Sequence, residues 1–292
     1  MSKTAENLLS KKALLEIFVN RRVDSPFPGD WESIFRGSGY EFWALRELEP
    51  EDALQNIDWK TTAKTGKYHV REYLAESYVN LMILYDISKS VAFGRKERLQ
   101  ANIAVSLAYT AAVSNNGCGL LMFADHVLTY IPPRMGWAHF MQILHTIVQA
   151  EPVDCGRTEL NSAVRKMVTE LNGSLTFILS DFLYPFECDY RFIPATHGSS
   201  QHEVKALQIL ETFEARLPPD SVGLISLMDY EDSNRVVLDL SKWTSYNREM
   251  KKILADTKHR LRQAGIVSTI ITPADDFRLK INGLMQSQAI KK

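Results

Sequence analysis

Oxygen donors gather at three points of this chain, and their order suggests one chemistry. The first is Asp86-Ile87-Ser88-Lys89-Ser90, which follows the apolar run Leu81-Met82-Ile83-Leu84-Tyr85. The second is Gly156-Arg157-Thr158, and the third is Ser180-Asp181 after Leu175-Thr176-Phe177-Ile178-Leu179. Asp86, Ser88 and Ser90 alternate along an extended turn, so their oxygens can converge, and Thr158 and Asp181 can close the ring from neighbouring loops. All five offer hard oxygen. They suit Mg²⁺, or another divalent ion such as Mn²⁺, because such ions take oxygen ligands and magnesium commonly keeps some of its water. Zinc is not served, since neither His nor Cys clusters there. Taken singly, the same residues are better explained as helix caps, Ser88 and Ser90 for the next helix and Asp181 for the one after its own strand.

Asp86 also admits a catalytic reading, because an aspartate after the first strand of a parallel sheet can be the phosphoryl nucleophile of a Mg²⁺-dependent phosphohydrolase. A haloacid-dehalogenase-like site wants a second acid two residues later, and Ser88, a poor general acid, stands there. Lys64-Thr65-Gly66-Lys67 lacks the spacing of a phosphate-binding loop, and no G-x-S-x-G elbow presents a nucleophilic serine. The histidines are scattered from His69 to His259, and His139 with His145 misses the i,i+4 spacing of a helical metal pair. The expectation is therefore a protein that is not an enzyme.

The elements that must position these residues can be read from hydrophobic period and breakers. Tyr78–Tyr85 reads as a first central strand. A helix over Arg95–Ser114 follows, with Leu99, Ile103, Val105, Leu107 and Ala111 as core candidates and Asn115-Asn116-Gly117 as its stop. Gly119–Ala124 is a second strand. Asp125-His126 turns the chain into Val127–Ile131, an antiparallel edge strand ended by Pro132-Pro133. Helices are expected over Trp137–Gln149 and Glu159–Leu171, then a strand over Leu175–Leu179. Beyond it come a helix over Glu203–Leu217, a strand over Val222–Leu227, a helix over Asn247–Ala264 and a strand over Ile266–Ile271. This alternation predicts an α/β fold with a mostly parallel central sheet and helices on both faces. In such sheets ligands bind beyond the carboxyl ends of the strands, where the strand order reverses.

Upstream, Leu8, Leu14, Leu15 and Phe18 predict an amphipathic helix over Thr4–Val19. From Arg21 to Tyr78, prolines and glycines (Pro26, Pro28, Gly29, Gly37, Gly39, Pro50, Gly66) break the chain into short extended pieces. Residues 1–77 thus read as an accessory segment and residues 78–292 as the α/β domain.

Composition bounds the partners. The 292 residues are 45% hydrophobic and 24% charged, enough for a packed core and an ordinary surface. A formal net charge of -1 supplies no global positive field, so nucleic acid is not an expected partner. Lysine pairs such as Lys11-Lys12 and Lys251-Lys252 fit solvated helix faces. Cys118, Cys155 and Cys188 form neither an even disulfide set nor a C-x-x-C pair, which fits a reducing compartment. No apolar run approaches a membrane span and Met1–Ser10 lacks the apolar core of a signal peptide, so a cytoplasmic protein without membrane insertion is expected.

D-x-S-x-S after a strand, a later Gly-x-Thr and then strand-Ser-Asp together resemble the von Willebrand factor A domain and its metal-ion-dependent adhesion site, over about Tyr78–Ile271. The resemblance implies a von Willebrand factor A-like sheet, a divalent ion on Asp86, Ser88, Ser90, Thr158 and Asp181, and recognition of a partner protein. Every motif position is filled, with Lys89 bringing a cation close by. The upstream segments Phe35–Phe42, Leu45-Arg46-Glu47 and Ile57–Gly66, with Val70-Arg71-Glu72-Tyr73 and Glu76, are similar to the bacterial domain-of-unknown-function family fifty-eight, whose members often accompany MoxR-type AAA+ ATPases. Leu48 departs from it, standing where the family commonly has Tyr after Arg-Glu. Arg36, Glu41, Arg46, Asp58 and Lys64 could form either an interaction surface or salt bridges that fix the accessory layer. What this second resemblance implies is a non-catalytic adaptor presenting a client protein to a MoxR-type ATPase for remodelling.

Overall fold

A computed structural model describes residues 41–47, 57–74, 80–155, 158–171, 173–183, 201–219, 223–228 and 235–286. These fall into two compact units, one within Gly29–Val79 and one from Asn80 onward. The helix expected over Thr4–Val19 lies outside the described residues.

In the smaller unit, strand β1 (Glu41–Glu47) pairs antiparallel with β2 (His69–Leu74), and helix α1 (Trp59–Thr65) lies between them in sequence. Asp58 starts α1: its carboxylate accepts the N–H groups of Lys60 at 2.9 Å and Thr61 at 3.1 Å, which the first turn of a helix otherwise leaves unpaired. Gly66, at φ 73°, ends it in the left-handed conformation open to glycine. Asp58 is thus a cap, and Lys67 pairs with Glu47 at 2.6 Å. Arg36 and the side chains of Glu41 and Arg46 lie outside what is described.

The larger unit is built on six strands: β3 (Leu81–Asp86), β4 (Cys118–Phe123), β5 (Val127–Arg134), β6 (Gly173–Ser180), β7 (Gln201–Ile209) and β10 (Val267–Ile271). Their order is β10-β7-β6-β3-β4-β5, all neighbours parallel except the β4–β5 pair. Every residue of β3 and β4 is buried, which is why both read as unbroken apolar runs: a strand covered on both faces has no polar side to show. Helix α4 (Leu160–Glu170) turns Leu160, Ala163, Val164 and Met167 inward at helical spacing, onto Met82, Leu84, Leu121, Phe123 and Ile178. Helix α2 (Lys96–Val113) packs on β3, β4 and β7 and against α3 (Trp137–Gln149). The mostly parallel α/β sheet expected from the alternation is present. The stop of α2 is also as expected: Asn115 adopts φ 53°, and the N–H groups of Asn115 and Asn116 return to Ala112 and Ala111, closing a left-handed helix end.

Three expectations are corrected. Glu203–Leu217 is not a helix, because residues through Ile209 form β7 and only α5 (Thr212–Ala215) is helical. Val204, Leu207 and Leu210 mimic helical spacing, while polar residues along the strand are buried: His202 bonds Ser174 at 3.0 Å, Gln208 donates to the Asp181 carbonyl at 2.9 Å, and the Lys205 ammonium lies 2.8 Å from Glu203 of the same strand. Paired on both sides, β7 needs no alternation, so the polar residues disguised it. The strand near Val222–Leu227 exists as β8 (Leu224–Met228), but it pairs antiparallel with β9 (Arg235–Asp239) in its own two-stranded sheet. The edge strand β5 runs through Pro132 and Pro133 to Arg134, which an edge tolerates because one side of its backbone needs no ladder. A bulge opposite Gly119 accommodates it; a Cβ there would stand 2.8 Å from the Ile131 carbonyl oxygen. Helix α6 (Trp243–Gln263) precedes β10, and α7 (Phe277–Gln286) follows it.

Candidate functional site

The chain leaves β3 for β4 on one side and later returns to β6 on the other, so the strand order reverses at β3 and a crevice opens beyond its carboxyl end. Asp86 is the last residue of β3, in register with Phe123 of β4. Tyr85 is in register with Leu179 of β6, so Ser180 and Asp181 emerge beside Asp86. The Ser180 hydroxyl donates to Asp86 Oδ2 at 2.6 Å.

The Asp86–Ser90 loop is tied down locally. Asp86 Oδ1 accepts the Ser88 N–H at 2.8 Å, a turn that aspartate favours two residues ahead of itself. The Ser88 and Ser90 hydroxyls lie 3.0 Å apart. Val153 then bridges the loop, donating to the Ile87 carbonyl at 2.8 Å and accepting the Lys89 N–H at 3.0 Å. From Val153 the chain runs on to Thr158, whose neighbour Glu159 donates its N–H to the Ala124 carbonyl at 2.7 Å, just past β4. The five predicted residues therefore stand on adjacent loops beyond β3, β4 and β6. Asp86, Ser88, Thr158 and Asp181 are buried and Ser90 half-buried. Gly156 and Arg157 lie outside the described residues.

Burial decides the electrostatics. Asp86 and Asp181 are each only 1% exposed. Burial, then the negative charge of Asp181, pushes the Asp86 carboxyl up to about 7, with the Ser180 and Ser88 hydrogen bonds pulling the other way. The cation at the site is not the one the sequence suggested. Lys89 turns outward to Asp154 at 2.5 Å. Instead Lys96, the first residue of α2 and 1% exposed, reaches Asp181 Oδ2 at 3.2 Å and Glu214 Oε1 at 3.0 Å. Burial alone would lower its pKa; the Asp181 and Glu214 carboxylates outweigh that and hold it above the usual lysine value. One turn on, Gln100 donates to the carbonyls of Asp86 at 2.9 Å and Leu179 at 3.1 Å, pinning α2 across the ends of β3 and β6.

Lys96, Gln100 and Glu214 were not singled out from the sequence, and Ser180 was noted there only as the neighbour of Asp181. A signal existed for two of them: Lys96 and Gln100 continue the stripe of Ile103, Leu107 and Ala111, and polar residues on a buried helical stripe ask for a partner.

The donor set fits a hard divalent ion. Two carboxylates and three hydroxyls stand on these adjacent loops, hard oxygen donors of the kind Mg²⁺ or Mn²⁺ takes; among the described residues no three or more His, Cys, Asp or Glu side chains group as metal ligands. Asp86 is raised first by burial and then by the Asp181 charge, and a cation placed between the two carboxylates would act against both.

Comparison with known proteins gives relatives, fold neighbours and a family. The chain is 29% identical over 223 residues to an uncharacterized protein of Mycobacterium tuberculosis, covering 74% of this chain and 69% of that one. Among solved structures, an aerotolerance-related membrane protein from Bacteroides fragilis aligns at a TM-score of 0.48 and 14% identity, over 72% of this chain and 99% of that one. A von Willebrand factor type A protein from Catenulispora acidiphila aligns at 0.39 and 11%, over 73% of this chain and 42% of that one. The model of the family described as protein of unknown function DUF58 matches residues 44–260, and the chain belongs to that family.

Proposed function

We propose that this chain is a non-catalytic, divalent-metal-dependent protein-interaction module. The observation that carries the reading is the placement of Asp86, Ser88, Ser90, Thr158 and Asp181 on adjacent loops at the crevice where the strand order reverses, with both aspartates buried. Mg²⁺ or Mn²⁺ held there would supply an open coordination position for a carboxylate of a partner protein. The protein's own part is to hold the donors: Ser88 and Ser180 fix both oxygens of Asp86, and Val153 holds the loop between them. The resemblance to a family that accompanies MoxR-type AAA+ ATPases supports an adaptor that presents a client to such an ATPase for assembly or remodelling. A cytoplasmic setting belongs to the same reading; among the described residues no helix is long and apolar enough to cross a membrane.

A phosphohydrolase using Asp86 is less well supported. Ser88, a poor general acid, occupies the position two residues after Asp86 where such a site wants a second acid. The test is co-precipitation of the full chain with the ATPase in Mg²⁺ against chelator, with Asp86→Ala alongside. Capture should need Mg²⁺ and be lost in the variant. Capture that is indifferent to both would sink the metal-dependent reading, and phosphatase turnover lost in Asp86→Ala would favour the alternative.

A further inference from the structure

Lys96 is held between two carboxylates that belong to different parts of the fold. Asp181, at the end of β6, is in the proposed ligand set. Glu214 is not: it lies in α5 beyond β7 and accepts the Glu211 N–H at 2.8 Å, closing a capping box. Glu211 in turn accepts the N–H of Arg95 at the start of α2. It packs so closely on Gly94 that a Cβ there would meet its Oε1 at 2.6 Å, and Gly94 itself sits at φ +65°. The backbone carrying Lys96 is therefore locked on both sides, by Glu211 before it and by Gln100 after it, and only its side chain is free to choose a partner.

Resting on the metal-dependent reading above, we propose that the Lys96 ammonium is a tethered counter-cation of the divalent site: it holds Asp181 when no ion is bound and passes wholly to Glu214 when one binds. Two cations on one buried carboxylate repel strongly at low effective dielectric. Glu214 Oε1 is already 3.0 Å from Nζ, so the ammonium can give up the 3.2 Å contact with Asp181 and keep a partner without leaving the interior. The local charge is consistent. With Asp86 ionised, Asp86, Asp181 and Glu214 stand against one ammonium and leave two negative charges, the charge of one divalent ion, while Glu211 lies 3.5 Å from the Arg95 guanidinium. Glu214 is then a positioning residue for a metal it does not touch, and occupancy of the site is linked to the junction of α2 and α5.

Calorimetric titration of the full chain with Mn²⁺ tests this, using wild type, Lys96→Met, Glu214→Gln and the double variant. Lys96→Met should bind Mn²⁺ about tenfold tighter or more, equivalent to about 1.4 kcal/mol. Glu214→Gln should bind about tenfold weaker, because the lysine is left with Asp181 alone. The double variant should match Lys96→Met, since Glu214 acts only through the lysine. Unchanged or weaker binding by Lys96→Met overturns the proposal. So does a loss from Glu214→Gln that persists in the double variant, which would make Glu214 itself a ligand. Lys96→Gln replaces the methionine variant if that one does not fold. Equal binding by wild type and Lys96→Met would leave the metal reading standing and remove only the lysine's part, whereas no binding by either would remove both.

Discussion

If Asp86 holds a divalent ion as proposed, metal affinity should depend on pH, because the ion and a proton would compete for its carboxylate. Its carboxyl titrates at about 7 without metal, raised chiefly by burial and then by Asp181. Only the ionised form ligates, so the apparent affinity follows the ionised fraction, about nine-tenths at pH 8, half at pH 7 and one-tenth at pH 6. Mn²⁺ binding should therefore weaken about tenfold between pH 8 and pH 6, and at pH 7 binding should release about half a proton. Calorimetry in buffers of different ionisation enthalpy measures both quantities. Stability without metal must carry the opposite sign. The folded pKa lies above the ordinary aspartate value of 3.8, so the folded state binds the extra proton and stability is lost as pH rises from about 4 through 7. The loss is on the order of a few kcal/mol in chelator and should shrink in saturating Mg²⁺. Affinity constant from pH 6 to pH 8, or binding with no proton released, would refute the premise that two buried carboxylates share this site.

Two substitutions probe the scaffold of the site. Ser180→Ala removes the 2.6 Å bond to Asp86 Oδ2, a bond to a charged group worth about 1.5–3 kcal/mol. The midpoint of the pH profile should move upward and Mn²⁺ affinity at pH 7 should fall; an unmoved midpoint would show that Ser180 does not hold the carboxylate. Gly119→Ala drives a methyl to 2.8 Å from the Ile131 carbonyl at the bulge between β4 and β5, and overpacking of this kind costs about 1–3 kcal/mol. Urea denaturation should show that loss with Mn²⁺ affinity of the folded protein unchanged, because the bulge lies away from the carboxyl end of β3.

What was legible in the sequence is what depends on neighbours in the chain. Leu81–Tyr85 and Leu175–Leu179 declare themselves because both faces of a central parallel strand are buried. The turn at Asn115 and the start of α3 at Trp137 are likewise local. Strand β7 was hidden because polar residues sit buried in it, two of them tied to its neighbour: His202 bonds Ser174 of β6 and Gln208 donates to Asp181 at the end of β6. Lys89 and Lys96 make the same point in opposite directions. Lys89 lies inside the motif and points away to Asp154, whereas Lys96 lies ten residues beyond Asp86, beyond any spacing rule, and the first turn of α2 brings it onto Asp181.

The aspartates at the site also show why a short motif gains meaning from its place in a fold. In an exposed loop, Asp86-x-Ser88-x-Ser90 would be a set of solvated turn residues whose hydrogen bonds water could replace. At the end of β3 the same atoms lose that water, and each charge must find a partner or shift its pKa. Asp86 shifts, Asp181 finds Lys96, and Lys96 needs Glu214 as well. Once Asp86 is ionised, Asp86, Asp181 and Glu214 outnumber the one lysine among them, so either a proton on Asp86 or, on the proposed reading, a divalent cation can offset the excess. That imbalance does not depend on the resemblance to any family, and it gives the pH dependence and the lysine variants their common origin.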